Sequence, residues 1–412
     1  MRLPGNGARG RRTERETSVE GRPRLGRNVI ALAVVSFLTD VSSEMIYPLL
    51  PLFLSSVLHA SASAVGLIEG TAETTAALLK LASGWWSDRV RRRKPLVLLG
   101  YVISSFARPL VAVAQAASQV LVIRVVDRVG KGVRTSPRDA LIADSVAPSI
   151  RGRAFGLHRA GDHAGAVVGP LIAFAILTWW TGAPLRRVFW LAAIPGVLSV
   201  LVLASAVSEV PREVDGRREA PAASGPLGRG FWRYLVVLLV FTLGNATDAF
   251  LLLRASQLGV NQALTPILWA LLHVVKSLSS TPGGALSDRV GRKPLIVVGW
   301  AVYALVYFLF GHASAAWHAW ALFSLYGVYF GLTEGAEKAL VADLVPPDRR
   351  GAAFGWYNLA IGLGALPASV IFGVIWDRLG SPAAFAYGAT LAFVAAVALL
   401  VVVPGRREAR GR

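Results

Sequence analysis

Apolar residues are concentrated in long runs along this chain, separated by shorter polar segments. Each run has roughly 20 residues or more, the length that an α-helix needs to cross a bilayer. The runs show no strict alternation of apolar and polar positions, so helices explain them better than the strands of a β-barrel. A helix also satisfies its own backbone hydrogen bonds in hydrocarbon. The pattern predicts an all-α membrane protein with twelve spans, at roughly 29–56, 63–86, 95–116, 118–145, 154–180, 187–207, 232–257, 262–286, 294–313, 316–344, 352–376 and 382–404.

The longest polar interruption divides the spans six and six. It covers residues 208–230 and is rich in proline, glycine, alanine and charge, which is typical of a linker. We therefore expect two six-helix bundles, joined and flanked by polar segments. The expected segments are a disordered basic cytoplasmic tail at 1–27, a bundle at 28–207, a cytoplasmic linker at 208–230, a bundle at 231–404 and a basic cytoplasmic tail at 405–412.

An internal repeat relates the two halves. The sequence Ser87–Val90 recurs as Ser287–Val290, and Ala140–Gly156 overlays Ala339–Gly355 with eleven of seventeen positions identical. Self-similarity over such a distance indicates two copies of one structural unit. We therefore expect the two bundles to be pseudo-symmetric.

Charge is scarce and unevenly placed. Only 16% of the residues are charged, whereas soluble proteins carry about 25%, and the formal net charge is +19. Lysine and arginine cluster in the segments 89–94, 151–153, 289–293 and 349–350, with Arg186 and Arg187 as the exception on the other side. By the positive-inside rule both termini are predicted to be cytoplasmic. The basic charge therefore indicates membrane topology rather than nucleic-acid binding.

A ten-residue motif follows span eight. The segment Gly284–Lys293 reads G-A-L-S-D-R-V-G-R-K, and a second copy begins at Gly84 with Trp86 in place of leucine, no turn glycine and one extra basic residue. Over nearly its whole length the chain resembles the major facilitator superfamily, whose loop signature this motif matches, and more loosely a little-characterised prokaryotic branch of it. An aspartate at a helix end can face the positive N-terminus of a neighbouring helix, while arginines pair with acids. The resemblance implies a gate formed by Gly84, Asp88, Arg89, Gly284, Asp288, Arg289, Gly291 and Arg292.

Span five carries a glycine–proline pattern formed by Gly156, Gly165, Gly169 and Pro170. Most of it is similar to a signature of antiporters in the same family, which favours efflux by exchange. Small residues at this spacing also let two helices pack backbone to backbone, and a proline can bend the span. Both interpretations remain open.

Ionisable residues lie inside several spans, where they are costly and usually face a cavity or a partner. In the resembled family, spans one, four, seven and ten line the central cavity. Span four carries a basic stripe at helical spacing, and Asp40 and Glu44 lie one turn apart in span one. Either these charges are internal ion pairs or they bind substrate and protons. The candidates are Asp40, Glu44, Arg124, Asp127, Lys131, Arg134, Arg138, Asp162, Asp248, Glu334 and Glu337.

For Asp40 and Glu44 we expect competition between two partners. Two carboxylates this close are costly to ionise together in a low-dielectric site. The pair is therefore predicted to bridge to Lys131 or Arg134 in one state and to hold a proton in another.

The resemblance implies secondary active transport of a small solute by alternating access, driven by a proton gradient and directed outward. The alternative is a proton-coupled symporter or uniporter of an organic anion, which the basic stripe suggests, and a membrane sensor or receptor is a more distant one. No nucleotide-binding loop, metal-ligand cluster or nucleophile constellation occurs, and cysteine is absent. We expect no enzymatic activity, no cofactor and no bound metal. The expected partners are a small-molecule substrate and the lipid bilayer, with no nucleic acid, and the chain is expected to work as a monomer in the cell inner or plasma membrane.

Overall fold

The computed structural model describes residues 26–87, 92–146, 151–180, 184–210, 227–346 and 349–403. Within these ranges the chain forms helices and no β-strand. We label the twelve long helical segments α1 to α12; their ends lie within four residues of the predicted spans. They are α1 (Arg27–Val57), α2 (Ala62–Ser87), α3 (Lys94–Val113), α4 (Ala117–Asp144), α5 (Arg151–Trp179), α6 (Leu185–Ala206), α7 (Arg229–Gln257), α8 (Thr265–Val290), α9 (Arg292–His312), α10 (Ala316–Asp343), α11 (Arg350–Leu379) and α12 (Ser381–Val402).

Nine of the described helices are long and apolar enough to cross a membrane. The other three, α2, α4 and α10, are equally long but carry more ionisable residues, which lowers their mean hydropathy. Such residues are tolerated at membrane depth when they face the interior of a bundle. The ionisable residues of α2, α4 and α10 are therefore expected to face the interior of a bundle and not the lipid.

Two glycines make the shortest helix connections. Gly291 joins α8 to α9 with φ +97°, and Gly380 joins α11 to α12 with φ +85°. Residues with a Cβ rarely adopt this left-handed backbone region, so a glycine allows the chain to reverse its direction within one residue at each of these two turns. Gly291, expected to belong to the gate, therefore has a definite role as a turn residue.

The helices pack as two pseudo-symmetric sets of six. In the first set α1 packs on α5 and α6, α2 on α4, and α3 on α4 and α6. In the second set α7 packs on α11 and α12, α8 on α10, and α9 on α10 and α12. Each contact in one half has its counterpart six helices later, as the sequence repeat predicts.

One end of the molecule carries Arg93, Asp144, Arg292 and Asp343, and we call it the basic end. The repeat extends to individual side chains there. Arg93 pairs with Asp144 across α3 and α4, and Arg292 lies 3.8 Å from Asp343 across α9 and α10. Lys94 donates to the Ala204 carbonyl at the end of α6. Arg292 thus contacts an acid of its own half.

The rest of the predicted gate is only partly described. Gly84 approaches Ser136 of α4, nothing lies within 4 Å of the Cβ position of Gly284, and Arg289 is exposed at the end of α8. Asp88 and Arg89 lie outside the described residues, as does the side chain of Asp288. The two tails and most of the linker also lie outside them, so the gate and the segment boundaries stay predictions.

The two halves meet through α2 against α11 and α5 against α8. At the end opposite the basic end, the Asp377 carboxylate of α11 accepts hydrogen bonds from the backbone N–H groups of Ala62 and Ser63, at 2.9 and 2.8 Å. These are free N–H groups at the start of α2, which favour a negative partner. A Cβ on Gly66 would lie 2.2 Å from the Ser369 carbonyl oxygen, so the backbones touch directly there. The halves are therefore closed at this opposite end.

Candidate functional site

A cavity of about 420 Å³ lies between the two halves, and charged side chains dominate its wall. It is bounded by α1, α2, α3, α4, α5, α7 and α8. Its ionisable residues are Asp40, Glu44, Tyr47, Glu73, Lys80, Arg108, Arg124, Arg128, Lys131, Arg134, Arg138, Arg159, Asp162, His163, Asp248, His273 and Lys276.

The cavity is accessible towards the basic end of the molecule and closed at the other end, where Asp377 contacts the start of α2. At its closed end Trp269 of α8, which is 4% exposed, donates to the Glu44 carboxylate of α1 at 2.7 Å. The Trp269 ring also packs on Tyr47, with ring centroids 5.0 Å apart. Towards the basic end the wall includes Arg159, whose side chain is 58% exposed.

The deep arginines of α4 are held by carboxylates from α2. Arg124 makes a two-pronged contact with Glu69, at 2.9 and 2.6 Å. One turn along α4, Arg128 lies 3.1 Å from Glu73. A planar guanidinium matches the two oxygens of a carboxylate, and such charge-assisted contacts are short and strong. These arginines are therefore neutralised by structural partners.

A third pair anchors α3 to α4. Arg108 of α3 donates to Asp127 at 2.8 Å and also to the Thr39 carbonyl of α1 at 3.0 Å. Asp127 is 2% exposed, within 4.0 Å of Arg124 and Arg128 as well. Asp127 thus lies behind the cavity wall as the shared counter-ion of three arginines.

Further along α4, the cations lose their acidic partners. Among the described residues, neither Lys131 nor Lys80 of α2 has a carboxylate within 4.0 Å. Arg134 is 4% exposed, donates to Ser104 at 2.8 Å and lies over the Tyr101 ring, while its Nε atom is buried without a partner. Arg138 pairs with its neighbour Asp139 at 2.8 Å. Lys80, Lys131 and Arg134 therefore have no acid within 4.0 Å in the described part of the chain, although Glu73 is close enough to both lysines to interact electrostatically.

Asp40 and Glu44 both face the cavity, one turn apart on α1. In the described part of the chain neither forms an ion pair within 4.0 Å, although Asp162, Lys131 and Arg134 are close enough to Asp40 to interact electrostatically. Glu44 instead bonds to Trp269 of the other half. The bridge to α4 expected for one state is thus absent from this conformation.

The glycines of α5 hold this helix against α1 beside the two acids. A Cβ on Gly165 would lie 2.6 Å from the Phe37 carbonyl oxygen and 2.8 Å from the Asp40 Cβ, and one on Gly169 would lie 3.0 Å from the Glu44 Cβ. Pro170 lies inside the helix. Gly156 differs from the expectation, because nothing lies within 4 Å of its Cβ position. The pattern thus provides close packing at two of its three glycines.

An ionic cluster joins the halves at the mouth of the cavity. Glu334 of α10 lies 3.4 Å from Arg159 of α5, 3.5 Å from Lys276 of α8 and 3.2 Å from Lys338. Asp162, one turn deeper on α5, bonds to Ser36 and lies 3.8 Å from Arg159. These residues are partly exposed, as expected of a contact that water can reach.

Asp248 is the described residue of α7 that lines the cavity. The helix is interrupted at 245–248, and Asp248 accepts a hydrogen bond from the Tyr326 hydroxyl at 2.6 Å. No lysine or arginine of the described residues lies within 4.0 Å of its carboxylate. Asp248 and Glu44 are therefore both acids held by neutral aromatic donors.

Glu337 was expected in the pathway, but it does not line the cavity of this conformation. It is 7% exposed and accepts bonds from Trp300 and Tyr357, each at 2.9 Å, inside the second half. More generally α10 lines none of the cavity, whereas α5 and α8 do, because α10 is turned towards α8 and α9. Glu334 reaches only the mouth.

Several site residues escaped the sequence reasoning: Glu69, Glu73, Lys80, Arg108, Trp269 and Lys276. Five of these are ionisable residues inside spans, so the signal that found Asp40 would also have found them. The family resemblance implied that spans one, four, seven and ten line the cavity, so residues of α2, α3 and α8 were not expected there.

The comparisons with known proteins agree with this architecture. The family model described as Major Facilitator Superfamily matches residues 32–336 and 250–412. An uncharacterised MFS-type transporter of Methanocaldococcus jannaschii is 34% identical over 384 residues, covering 92% of this chain and 95% of the relative. A protein of Cupriavidus pinatubonensis named "Probable 4-methylmuconolactone transporter" is 26% identical, covering 81% of each chain.

A solved bacterial homologue of the human lysosomal transporter Spinster, in an inward-facing and occupied conformation, shares the fold. It superposes with a TM-score of 0.71 at 19% identity, over 93% of this chain and 96% of its own. Together with the family match and the 34% identical relative, the twelve packed helices and the central polar cavity identify this chain as a member of the Major Facilitator Superfamily of membrane transporters.

Proposed function

We propose that this transporter carries a small organic anion together with protons. One observation supports the anion above all: Lys80, Lys131 and Arg134 line the cavity, and none of them has a described carboxylate within 4.0 Å. On α4, Arg124 and Arg128 have carboxylate partners from α2 and Arg138 pairs with Asp139, so the basic stripe is reduced to Lys131 and Arg134. Arg134 is buried and the two lysines are partly buried; a cation withdrawn from water without a close counter-ion is costly, and an anionic ligand offsets that cost.

The choice of an anion selects between the two modes that the sequence left open. Efflux by exchange rests on the glycine–proline pattern alone, and the packing of Gly165 and Gly169 against α1 supplies a structural reason for that pattern. The unpaired cations favour the organic-anion alternative. The relative named for 4-methylmuconolactone is in keeping with a small organic substrate. The direction of transport stays a prediction.

Asp40 is the residue that we propose for proton coupling. It lies on the cavity wall between Asp162 of α5, Glu44 of its own helix, and Lys131 and Arg134 of α4. A carboxylate in this position competes with a substrate anion for the same two cations. Protonation of Asp40 removes its charge and leaves Lys131 and Arg134 free for the substrate, which couples the two binding events.

The accessible end of the cavity is proposed to face the cytoplasm. The basic residues Arg93, Lys94, Arg292 and Lys293 all lie at that end, and such residues are retained on the cytoplasmic side. On this orientation the conformation is inward-facing. Alternating access then requires the contacts at Ala62 and Ser63 to open while the Arg159–Glu334 contact tightens.

Cysteine labelling tests this orientation, because the chain has no cysteine of its own. Ser61→Cys, which is exposed at the closed end, is expected to react with a membrane-impermeant maleimide on intact cells. Ala223→Cys in the linker is expected to react only after lysis. Labelling of Ala223→Cys from outside would reverse the proposed orientation.

Proteoliposomes loaded with the pH dye pyranine test the proposed anion. Lactate, succinate, benzoate and muconate would each be added outside, with protein-free liposomes as the control for passive entry of the acid. We expect at least one anion to carry protons inward only when the protein is present, and Lys131→Gln to lower its apparent affinity tenfold or more. Lys338→Gln, an exposed lysine at the mouth that already has an acidic partner, serves as the matched control. A Lys131→Gln protein with wild-type affinity would contradict the assignment.

The same liposomes test the coupling residue. Asp40→Asn is expected to abolish proton movement while exchange of labelled for unlabelled anion continues, because the cations remain in place. Glu337→Gln is the control, since this buried acid lies in the second half away from the cavity. Wild-type proton movement in a well-expressed Asp40→Asn protein would remove Asp40 from the coupling role.

A further inference from the structure

The cavity wall is polarised along its length. The cations without acids, Lys80, Lys131 and Arg134, lie towards the basic end of α2 and α4. Of the described wall acids that have no lysine or arginine within 4.0 Å, Asp40 lies at about the depth of Lys131, whereas the second group, Glu44 and Asp248, lies towards the closed end of α1 and α7. At 1.5 Å of rise per helical residue, the two groups are separated by about 10 Å along the axis of the bundle.

The two deep acids keep accepting capacity for a ligand. Glu44 accepts one bond from Trp269, and Asp248 accepts one from Tyr326. A carboxylate has about four lone-pair sites, so these single neutral donors leave room for further donors. Within the described residues no lysine or arginine lies within 4.0 Å of either acid.

Aromatic rings line the same region. Tyr47 and Trp269 pack with their centroids 5.0 Å apart, and His273 lies against Trp269 at 5.1 Å. Tyr47 is also close enough to Asp248 to interact electrostatically, so rings and acids form one continuous surface. Aromatic faces beside carboxylates are the surroundings that bind ammonium groups, through cation–π attraction and charge-assisted hydrogen bonds.

The other end has the complementary chemistry. Arg134 is 4% exposed and has a buried Nε without a partner, and Lys131 has no acid within 4.0 Å in the described part of the chain. These groups match a carboxylate or another small anionic group. A solute with only an anionic group would leave Glu44 and Asp248 with no described cation at ion-pair distance.

From this arrangement we infer that the substrate is zwitterionic: its anionic group binds at Lys131 and Arg134, and its amine binds between Glu44, Asp248 and the rings of Tyr47 and Trp269. The inference rests on the proposed function and narrows its substrate class. It assigns the deep acids to substrate recognition and leaves proton coupling to Asp40. It also explains why the cavity needs charges of both signs at different depths.

Three small molecules of matched length test the inference: 6-aminohexanoate, hexanoate and hexylamine. Each is titrated against the purified full-length protein in detergent at constant ionic strength, and the apparent melting temperature is followed. We expect 6-aminohexanoate to reach half of its stabilising effect at a concentration at least tenfold lower than hexanoate. Hexylamine alone is expected to have no effect, because the unpaired cations disfavour a ligand with only positive charge.

Variants assign the two ends. Asp248→Asn is expected to remove the advantage of the zwitterion while the response to hexanoate persists, whereas Lys131→Gln is expected to weaken both responses. Lys338→Gln is expected to behave as wild type in all three titrations. The wild-type series decides the question by itself if Asp248→Asn does not fold.

The outcomes separate this inference from the proposed function. Equal responses to hexanoate and 6-aminohexanoate would overturn the zwitterion and leave the anion transporter standing. An unchanged zwitterion advantage in Asp248→Asn would remove Asp248 from the amine site and overturn the inference as stated. No response to either acid, or a response to hexylamine alone, would overturn both proposals.

Discussion

The cost of placing ionised groups at membrane depth is the constraint on which this structure depends. An uncompensated charge in a low-dielectric interior costs several kcal/mol, so buried charges are retained in pairs or beside a cavity. The first half resolves this with carboxylates of α2 and an arginine of α3 placed against α4: Glu69 on Arg124, Glu73 on Arg128, and Asp127 on Arg108. Because of these pairs, the basic helix α4 can pack inside the bundle. Lys131 and Arg134 remain on the cavity wall without a described carboxylate within 4.0 Å.

The two halves solve the same packing problem with different chemistry. The first half uses ion pairs, whereas the second uses a cluster of aromatic rings that includes Trp300 stacked on Phe241 and Tyr303 stacked on Tyr307, with centroids 4.4 and 4.2 Å apart. Glu337 is absorbed in that cluster as a hydrogen-bond acceptor. The backbone symmetry of the repeat is therefore preserved while the cavity chemistry is concentrated in one half. The charged residues of the cavity wall thus come mainly from the first half, and the second half adds Asp248, Lys276 and the rings of Trp269 and His273.

Length and hydropathy were sufficient to predict nine helices, because a membrane span is a property of its own sequence; α2, α4 and α10 are more polar and were predicted from their length and from the repeat. The repeat was sufficient to predict the pseudo-symmetry, and it reappears in the Arg93–Asp144 and Arg292–Asp343 contacts. The candidate site was predictable only as a set of ionisable residues. Arg124 has a carboxylate partner within 4.0 Å and Lys131 does not. This difference depends on how α2 packs against α4, which is a tertiary contact that neither segment reveals alone. For the same reason the direction of the Glu337 side chain could not be predicted: its place on α10 is clear from the sequence, but its contacts with Trp300 and Tyr357 depend on the packing of other helices.

The distinction between structural pairs and free charges is tested most directly by comparing two acids of the same region. The apparent melting temperatures of Glu69→Gln and Asp40→Asn would be measured in one detergent at one pH. Removal of Glu69 takes the two-pronged partner from Arg124, whose side chain is 9% exposed, and leaves only the longer 3.7 Å contact with Asp127, so it is expected to lower the melting temperature markedly. Asp40→Asn removes an acid without an ion-pair partner and is expected to melt close to wild type. Equal losses in the two variants, or a loss confined to Asp40→Asn, would contradict the account.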